Sequence, residues 1–359
     1  MPFDKEQNWV SLPEAFKKET DIRENIDIDK LCTFGIKPLD DAFICILKDD
    51  LIVIGADSGI GKSTLALSIA RTNIQKGKKV ALYYLEGGYE EAISKMKWRD
   101  IIEEYYKNYH CLGIDINYQR WALNIEKHGA LKEIECKVWD IYKEKYQDNL
   151  FFYNSKQGLT VDSLITSLLD FEKLIPNETN SGITIKIGLD LIIIDHLQYF
   201  SLTKAESEIF EITEILRTVK NIANHHKIPV ILISHLKKRT KDRGCPNQED
   251  FYGSSNIPKI ASTAIIIAPD PEKDNFLTGI YPTYFRVVKS RVGIRSNYAC
   301  MIDFDLHKNS YAENYEMYRI DTFGNIYPDA LKEEEKPKWA KIKPCVKKEI
   351  PNYQDKEED

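Results

Sequence analysis

Short apolar runs recur along the chain and alternate with stretches whose apolar residues return every three or four positions. Leu51 to Ile54, Val80 to Leu85, Leu150 to Tyr153, Leu191 to Ile194, Val230 to Ile233, Thr263 to Ala268, Tyr284 to Lys289 and Ala299 to Phe304 read as strands. Between them, Glu206 to His226 brings Ile209, Ile212, Leu216, Val219, Ile222 and Ala223 to one helical face. Residues Glu90 to Lys145 are expected to be mostly helical, with Trp98, Tyr105, Tyr106, Trp121 and Trp139 packing against the core. Strands alternating with helices predict an α/β fold around a mostly parallel sheet. The last two runs predict an antiparallel hairpin at its far end.

The first strand leads into the most specific motif of the chain. Residues 55 to 64 read Gly-Ala-Asp-Ser-Gly-Ile-Gly-Lys-Ser-Thr, followed by the helix-like Leu65 to Gln75. The pattern [AG]-x-x-x-x-G-K-[ST] runs from Ala56 to Ser63 in a strand, loop, helix context that defines a phosphate-binding loop. Ala56, Asp57, Ser58, Gly59, Ile60 and Gly61 lend backbone N–H groups to phosphates, Lys62 neutralises their charge, and Ser63, next to Thr64, offers a hydroxyl to Mg²⁺. The expected ligands are ATP and Mg²⁺.

Hydrolysis at such a loop needs a second acid for the metal and a base for the attacking water. Asp195 follows Leu191-Ile-Ile-Ile194 and would emerge at the carboxyl edge of a buried strand, where open α/β sheets bind ligands. Glu86 ends Val80 to Leu85 and is the candidate base. His235, after Ser234, and Gln198 are either sensors of the γ-phosphate or hydrogen-bonded scaffolding. Lys289 and Arg291 flank Ser290 and form either a surface ladder or a charge donor to a neighbouring subunit's phosphate.

Composition narrows the class. With 43% hydrophobic and 30% charged residues, the 359-residue chain reads as soluble and globular. No apolar run approaches the ~20 residues that span a bilayer, Met1 to Val10 is too polar for a signal peptide, and no membrane partner is expected. Seven scattered cysteines without metal spacing read as reduced thiols, which predicts a cytoplasmic location. A net charge of −6 confines any nucleic-acid contact to local clusters. One cluster, Lys237, Lys238, Arg239, Lys241 and Arg243, is either a solvated loop or such a contact.

Together these segments resemble the ATPase domain of DnaB-type replicative helicases over roughly residues 32 to 312. The resemblance is carried, in order, by Cys32 to Asp40, Gly55 to Ser63, Tyr84-Leu-Glu86, Gly158-Leu-Thr160, Leu191 to Gln198, Pro229 to Leu236 and Lys289-Ser-Arg291. His235-Leu-Lys237 and Tyr252-Gly-Ser-Ser255 look closer to the phage primase-helicases and mitochondrial Twinkle. The resemblance implies a RecA-like P-loop NTPase fold and a homo-oligomeric ring, usually a hexamer, with ATP at each subunit boundary. In that scheme Lys62 and Ser63 bind phosphate and Mg²⁺, Glu86 is the catalytic base, Asp195 the Walker B acid, and Gln198 and His235 the sensors. Lys289 and Arg291 match a cationic pair that reaches the next subunit's site. Residues Lys237 to Ser255, with Gly253 and Ser254, match a channel loop that grips single-stranded DNA. A primase or loader is a further expected partner.

Two departures from the family pattern, Tyr252 after Asp250-Phe251 and Ser262 in place of an acid, are expected to bear on the DNA grip more than on hydrolysis. Three parts are expected: residues 1–30, a linker with an amphipathic piece near Trp9 to Lys18; residues 31–328, the ATPase domain; and residues 329–359, a charged, disordered tail. The competing readings are a RecA- or RadA-like recombination or regulatory ATPase, and a replication adaptor or defence ATPase that does not unwind.

Overall fold

Alternate residues of every central strand point to opposite faces of the sheet, and here both faces are apolar. Leu51–Ala56, Val80–Tyr84 and Leu191–Asp195 are buried at every position. The computed structural model describes residues 9–57, 60–109, 118–125, 129–155, 158–176, 183–201, 207–237, 245–253, 255–270, 279–292, 297–321 and 324–341.

The chain begins with α1 (Leu12–Glu24), α2 (Lys37–Phe43), β1 (Leu51–Ala56), α3 (Lys62–Gln75), β2 (Val80–Tyr84) and α4 (Tyr89–Tyr109). It continues through α5 (Tyr118–Ala122), α6 (Gly129–Ile141), β3 (Leu150–Phe152), α7 (Val161–Leu169), β4 (Glu172–Pro176) and β5 (Ile183–Ile187). Then follow β6 (Leu191–Asp195), α8 (Glu208–His226), β7 (Val230–His235), α9 (Ile257–Ile260) and β8 (Thr263–Pro269). The last elements are β9 (Ile280–Ser290), β10 (Tyr298–Asp305), β11 (Ser310–Arg319) and α10 (Lys338–Lys341).

Nine strands form one sheet in the order β11-β10-β9-β8-β1-β7-β6-β2-β3. From β8 to β3 every pairing is parallel, whereas β9, β10 and β11 pair antiparallel. Ile52, Ile54, Leu82, Ile193, Ile231 and Ile265 face a core built with α2, α3, α4 and α6. Leu51, Val53, Tyr83, Ile192, Ile194 and Leu232 face a second core under α7 and α8. The sheet is therefore dry on both sides, and polar side chains collect where its parallel strands end. We call the carboxyl ends of those strands the upper edge and their amino ends the lower edge.

The predicted strands are all present, and Trp98 and Tyr105 are buried in the first core as expected. Five features differ, the first being Trp139, which was expected against the core and is exposed. The expected antiparallel hairpin, β9 with β10, is present but grows into a three-stranded meander, because β11 pairs along β10. A separate hairpin, β4 with β5, lies outside the main sheet. Ile209 is exposed, since α8 turns only its later apolar residues onto the sheet. The start of the tail is ordered: Leu331 N–H donates to Met317 O at 2.7 Å, and Trp339 packs by Pro38, Leu39, Phe285 and Val287. Those apolar contacts hold residues 331–341 against α2; residues 342–359 lie outside the described residues.

Candidate functional site

β1 delivers the loop to the upper edge, and α3 starts directly beyond it. The turn into α3 is made by Gly61 at φ +79°, a left-handed conformation that a side chain would strain, with the Phe304 ring packed against its bare Cα. The first N–H groups of α3 have no helical partners, so the helix opens as an anion-binding end. Lys62 is its first residue and is buried; its Nζ donates to Asp57 O at 3.1 Å and to His235 Nδ1 at 3.0 Å. Ser63 and Thr64 follow in the same turn, while Ser58 and Gly59 lie outside the described residues.

Two carboxylates share this edge. Asp195 pairs in register with Tyr84, and Leu85 N–H donates to Asp195 O at 2.7 Å, which locks the two strand ends together. The Asp195 side chain is fully buried, and neither of its oxygens has a hydrogen-bond partner. The Ser63 hydroxyl faces it and eases its charge without meeting either oxygen in good geometry. Burial lifts this carboxyl to about 6, the Glu86 charge adds to the rise, and Ser63 and Lys62 oppose it. A buried carboxylate with orphaned oxygens beside a serine hydroxyl fits Mg²⁺, a cation that takes one or two protein oxygens and completes its shell with phosphate and water. Glu86 stands just past β2 with its side chain 47% exposed, free to meet water. Burial pulls the Lys62 ammonium below its ordinary value against the attraction of Glu86, Asp195 and Asp57.

The polar groups at the ends of β6 and β7 form a continuous network. His235 Nε2 lies 3.1 Å from His196 Nε2, and His196 Nδ1 lies 3.2 Å from Gln198 Oε1. Gln198 Oε1 also accepts the His235 N–H at 3.1 Å, and its Nε2 donates to Ser234 Oγ at 3.1 Å. His196 Nε2 stands 3.8 Å from Glu86 Oε2. Burial, then His235 and the Lys62 charge, lower His196 to about 4, and burial with Lys62 lowers His235 as well. Sequence reasoning gave His196 no role. The available signal was two histidines leaving adjacent strands, one directly after the strand-end acid.

The basic segment rises from the end of β7. Its foot is a short two-stranded contact: Leu236 bridges Phe251, Lys237 N–H donates to Asp250 O at 2.7 Å, and Tyr252 N–H donates to His235 O at 3.0 Å. Lys237 Nζ folds back onto Glu249 O at 2.7 Å. Gly253 takes φ +93°, and a Cβ there would collide with Ile212. Lys238, Arg239, Lys241, Arg243 and Ser254 lie outside the described residues.

Lys289 and Arg291 are elsewhere. β9 runs against β8, so its last residues meet Thr263 and Ala264 at the lower edge, a strand length of roughly 20 Å from the same chain's phosphate loop. Lys289 Nζ donates to the Lys259 and Ala261 carbonyls, both at 2.7 Å, at the end of α9. Arg291 is half-exposed and pairs with Asp49 at 2.9 Å and Asp50 at 3.0 Å. Ser262, expected to bear on the DNA grip, belongs to this edge instead: its Oγ accepts from Lys220 Nζ at 2.5 Å and from Leu51 N–H at 3.3 Å. It directly precedes β8, whereas the basic segment leaves the far end of β7.

Comparison with known proteins gives one consistent picture. The profile of the family described as DnaB-like helicase C terminal domain matches residues 32–311. Among curated proteins, the chain is 26% identical over 250 residues to a probable plasmid replicative DNA helicase of Chlamydia psittaci, covering 68% of this chain and 48% of that protein. It is 24% identical over 272 residues to the replicative DNA helicase DnaB of Haemophilus influenzae, covering 74% and 52%. The chain thus spans about half the length of these relatives. A solved ATPase domain superposes with a TM-score of 0.67 at 19% identity, covering 86% of this chain and all of that one. A DnaB-like replicative helicase studied with primase superposes with a TM-score of 0.62 at 20% identity, covering 85% and 67%. These likenesses establish a RecA-like P-loop fold.

Proposed function

The chain belongs to the DnaB-like helicase C-terminal domain family, and from that membership and the site's geometry we propose that it is an ATP-hydrolysing, ring-forming translocase that moves along single-stranded DNA during replication and separates duplex. One observation carries the reading: Lys62, Ser63, the orphaned carboxylate of Asp195 and the exposed carboxylate of Glu86 converge on one sheet edge, beside the foot of a basic segment.

In this reading the α3 N-terminus and residues Ala56 to Thr64 cradle the triphosphate, and Lys62 leaves His235 to neutralise it. Ser63 and Asp195 would hold Mg²⁺, which would supply charge neutralisation to the triphosphate. Glu86 orients water and takes its proton, and Gln198 and His235 register the γ-phosphate. Because Arg291 stands at the lower edge, far from its own loop, it serves the site of an adjoining copy, with Lys289 anchoring the strand that carries it. Lys237, Lys238, Arg239, Lys241, Arg243, Gly253 and Ser254 contact the DNA backbone, chiefly through charge.

Ring assembly follows from α1. None of its residues is buried: Leu12 and Phe16 on the helix are exposed, as is Trp9 just before it. An apolar helix face left bare in a single chain is covered when α1 docks on the next copy of a ring, which we take to be hexameric. A primase or loader engages the ring from outside. The test is strand displacement on forked DNA with ATP, alongside hydrolysis measured with and without single-stranded DNA. Hydrolysis without displacement under all loading conditions would favour a RecA-like or adaptor ATPase.

A further inference from the structure

His196 has no part in the reading above, yet it touches three of that reading's residues. It is 2% exposed and lies between the sensor His235, the sensor Gln198 and the base Glu86. The donors and acceptors of this cluster follow from one fact: an ammonium group donates hydrogen bonds and accepts none. Lys62 Nζ donates to His235 Nδ1, so that nitrogen carries a lone pair and the ring proton of His235 is on Nε2. His235 Nε2–H then donates to His196 Nε2, which places the His196 proton on Nδ1, where it donates to Gln198 Oε1. Gln198 Nε2 donates onward to Ser234 Oγ, and Ser234 Oγ–H to His235 O at 3.3 Å. Every link runs in one sense from Lys62. Both rings are neutral, because a second proton on either would set two donors face to face.

This polarity also accounts for Glu86. With a lone pair on its Nε2, His196 offers the carboxylate no hydrogen, and Glu86 stands off at 3.8 Å with half its surface in solvent. The opposite tautomer would pair with Glu86 and occupy the oxygen that water needs. On the other side, the His235 backbone is part of the same network: its N–H is held by Gln198, and its carbonyl holds Tyr252 at the foot of the basic segment.

We propose that His196 is a positioning residue that fixes the tautomer and orientation of His235 and keeps Glu86 unpaired, so that departure of Lys62 toward phosphate is felt both at the base and at the foot of the basic segment. The proposal rests on the nucleotide-site reading above and deepens it.

Two substitutions divide the roles of the ring. His196→Gln can return an acceptor near the Nε2 position, whereas His196→Asn reaches only the Nδ1 position and keeps only the contact to Gln198. Nitrogen-15 NMR of histidine-labelled protein without nucleotide should show His235 protonated on Nε2 in the wild type and in His196→Gln, and mixed tautomers in His196→Asn and His196→Ala. In ATP hydrolysis, Asn and Ala should lower kcat roughly 10- to 100-fold with KM within about twofold, and Gln should recover to within about threefold of wild type. His235 protonated on Nδ1 in the nucleotide-free wild type overturns the proposal whether or not any variant folds. So does equal kcat in the Gln and Asn variants. A wild type that hydrolyses no ATP would sink the proposed function instead, while the NMR result still decides the tautomer.

Discussion

The Lys62 ammonium and the His235 imidazole stand 3.0 Å apart, and this contact joins the phosphate loop to the strand end from which the basic segment rises. In the proposed function the same lysine is also needed by phosphate, which it cannot serve while it stands against the histidine.

Lys62→Ala should abolish ATP hydrolysis while leaving the fold intact. Burial already disfavours this ammonium despite its acidic neighbours, so its removal costs little. We expect thermal melting within a few degrees of wild type. A collapse of the circular-dichroism spectrum would show that Lys62 is structural.

Asp195→Asn should end Mg²⁺-dependent hydrolysis and at the same time stabilise the nucleotide-free chain, since it removes a buried carboxylate that nothing satisfies. The sign follows from the raised carboxyl, about 6 against an ordinary 3.8. The stability that protonated Asp195 contributes is fully present below the lower value and is lost as pH rises through the higher one. The advantage of the variant should therefore open between about pH 4 and 6, reach about 1–3 kcal/mol, and stay flat above. Denaturant titrations across that range check it; a gap that instead widens toward acid would contradict the burial argument.

Neither Arg291→Ala nor Lys62→Ala chains should hydrolyse ATP alone, but mixing them should restore activity. In an equal random mixture, about a quarter of subunit boundaries join an intact loop to an intact arginine. No recovery, with assembly mass unchanged, would rule out service to a neighbour.

Removing residues 1–24 should reduce the assembly to smaller species in light scattering, because it deletes α1 and the exposed Trp9. An unchanged mass would assign ring contacts to the ATPase domain alone.

Much of this was legible in the sequence because the motifs are local. The phosphate loop and Glu86 come just after short, fully buried strands and Asp195 ends one, so the strand's end places the side chain at the upper edge. What was missed depends on distant contacts. β11 reads Ser-Tyr-Ala-Glu-Asn-Tyr-Glu-Met-Tyr-Arg, too polar to mark a strand, and it exists because β10 supplies its ladder. Ser262 was misplaced because its partner Lys220 lies 42 residues away on α8. Trp339 orders the start of a charged tail by finding Leu39 and Phe285 across the chain. His196 was hidden by its chemistry, since a lone histidine acquires meaning only from the ring packed edge-on to it at a centroid distance of 4.2 Å.

The reversal of direction at β9 has an arithmetic consequence. With the phosphate loop on one rim of the sheet and Arg291 on the other, the catalytic unit of the proposed function is a seam between two chains rather than a chain. An open arc of copies then holds one seam fewer than it has members, and a closed circle holds as many. Turnover per chain would count how nearly the circle is complete, and a chain alone would be silent however much ATP it met.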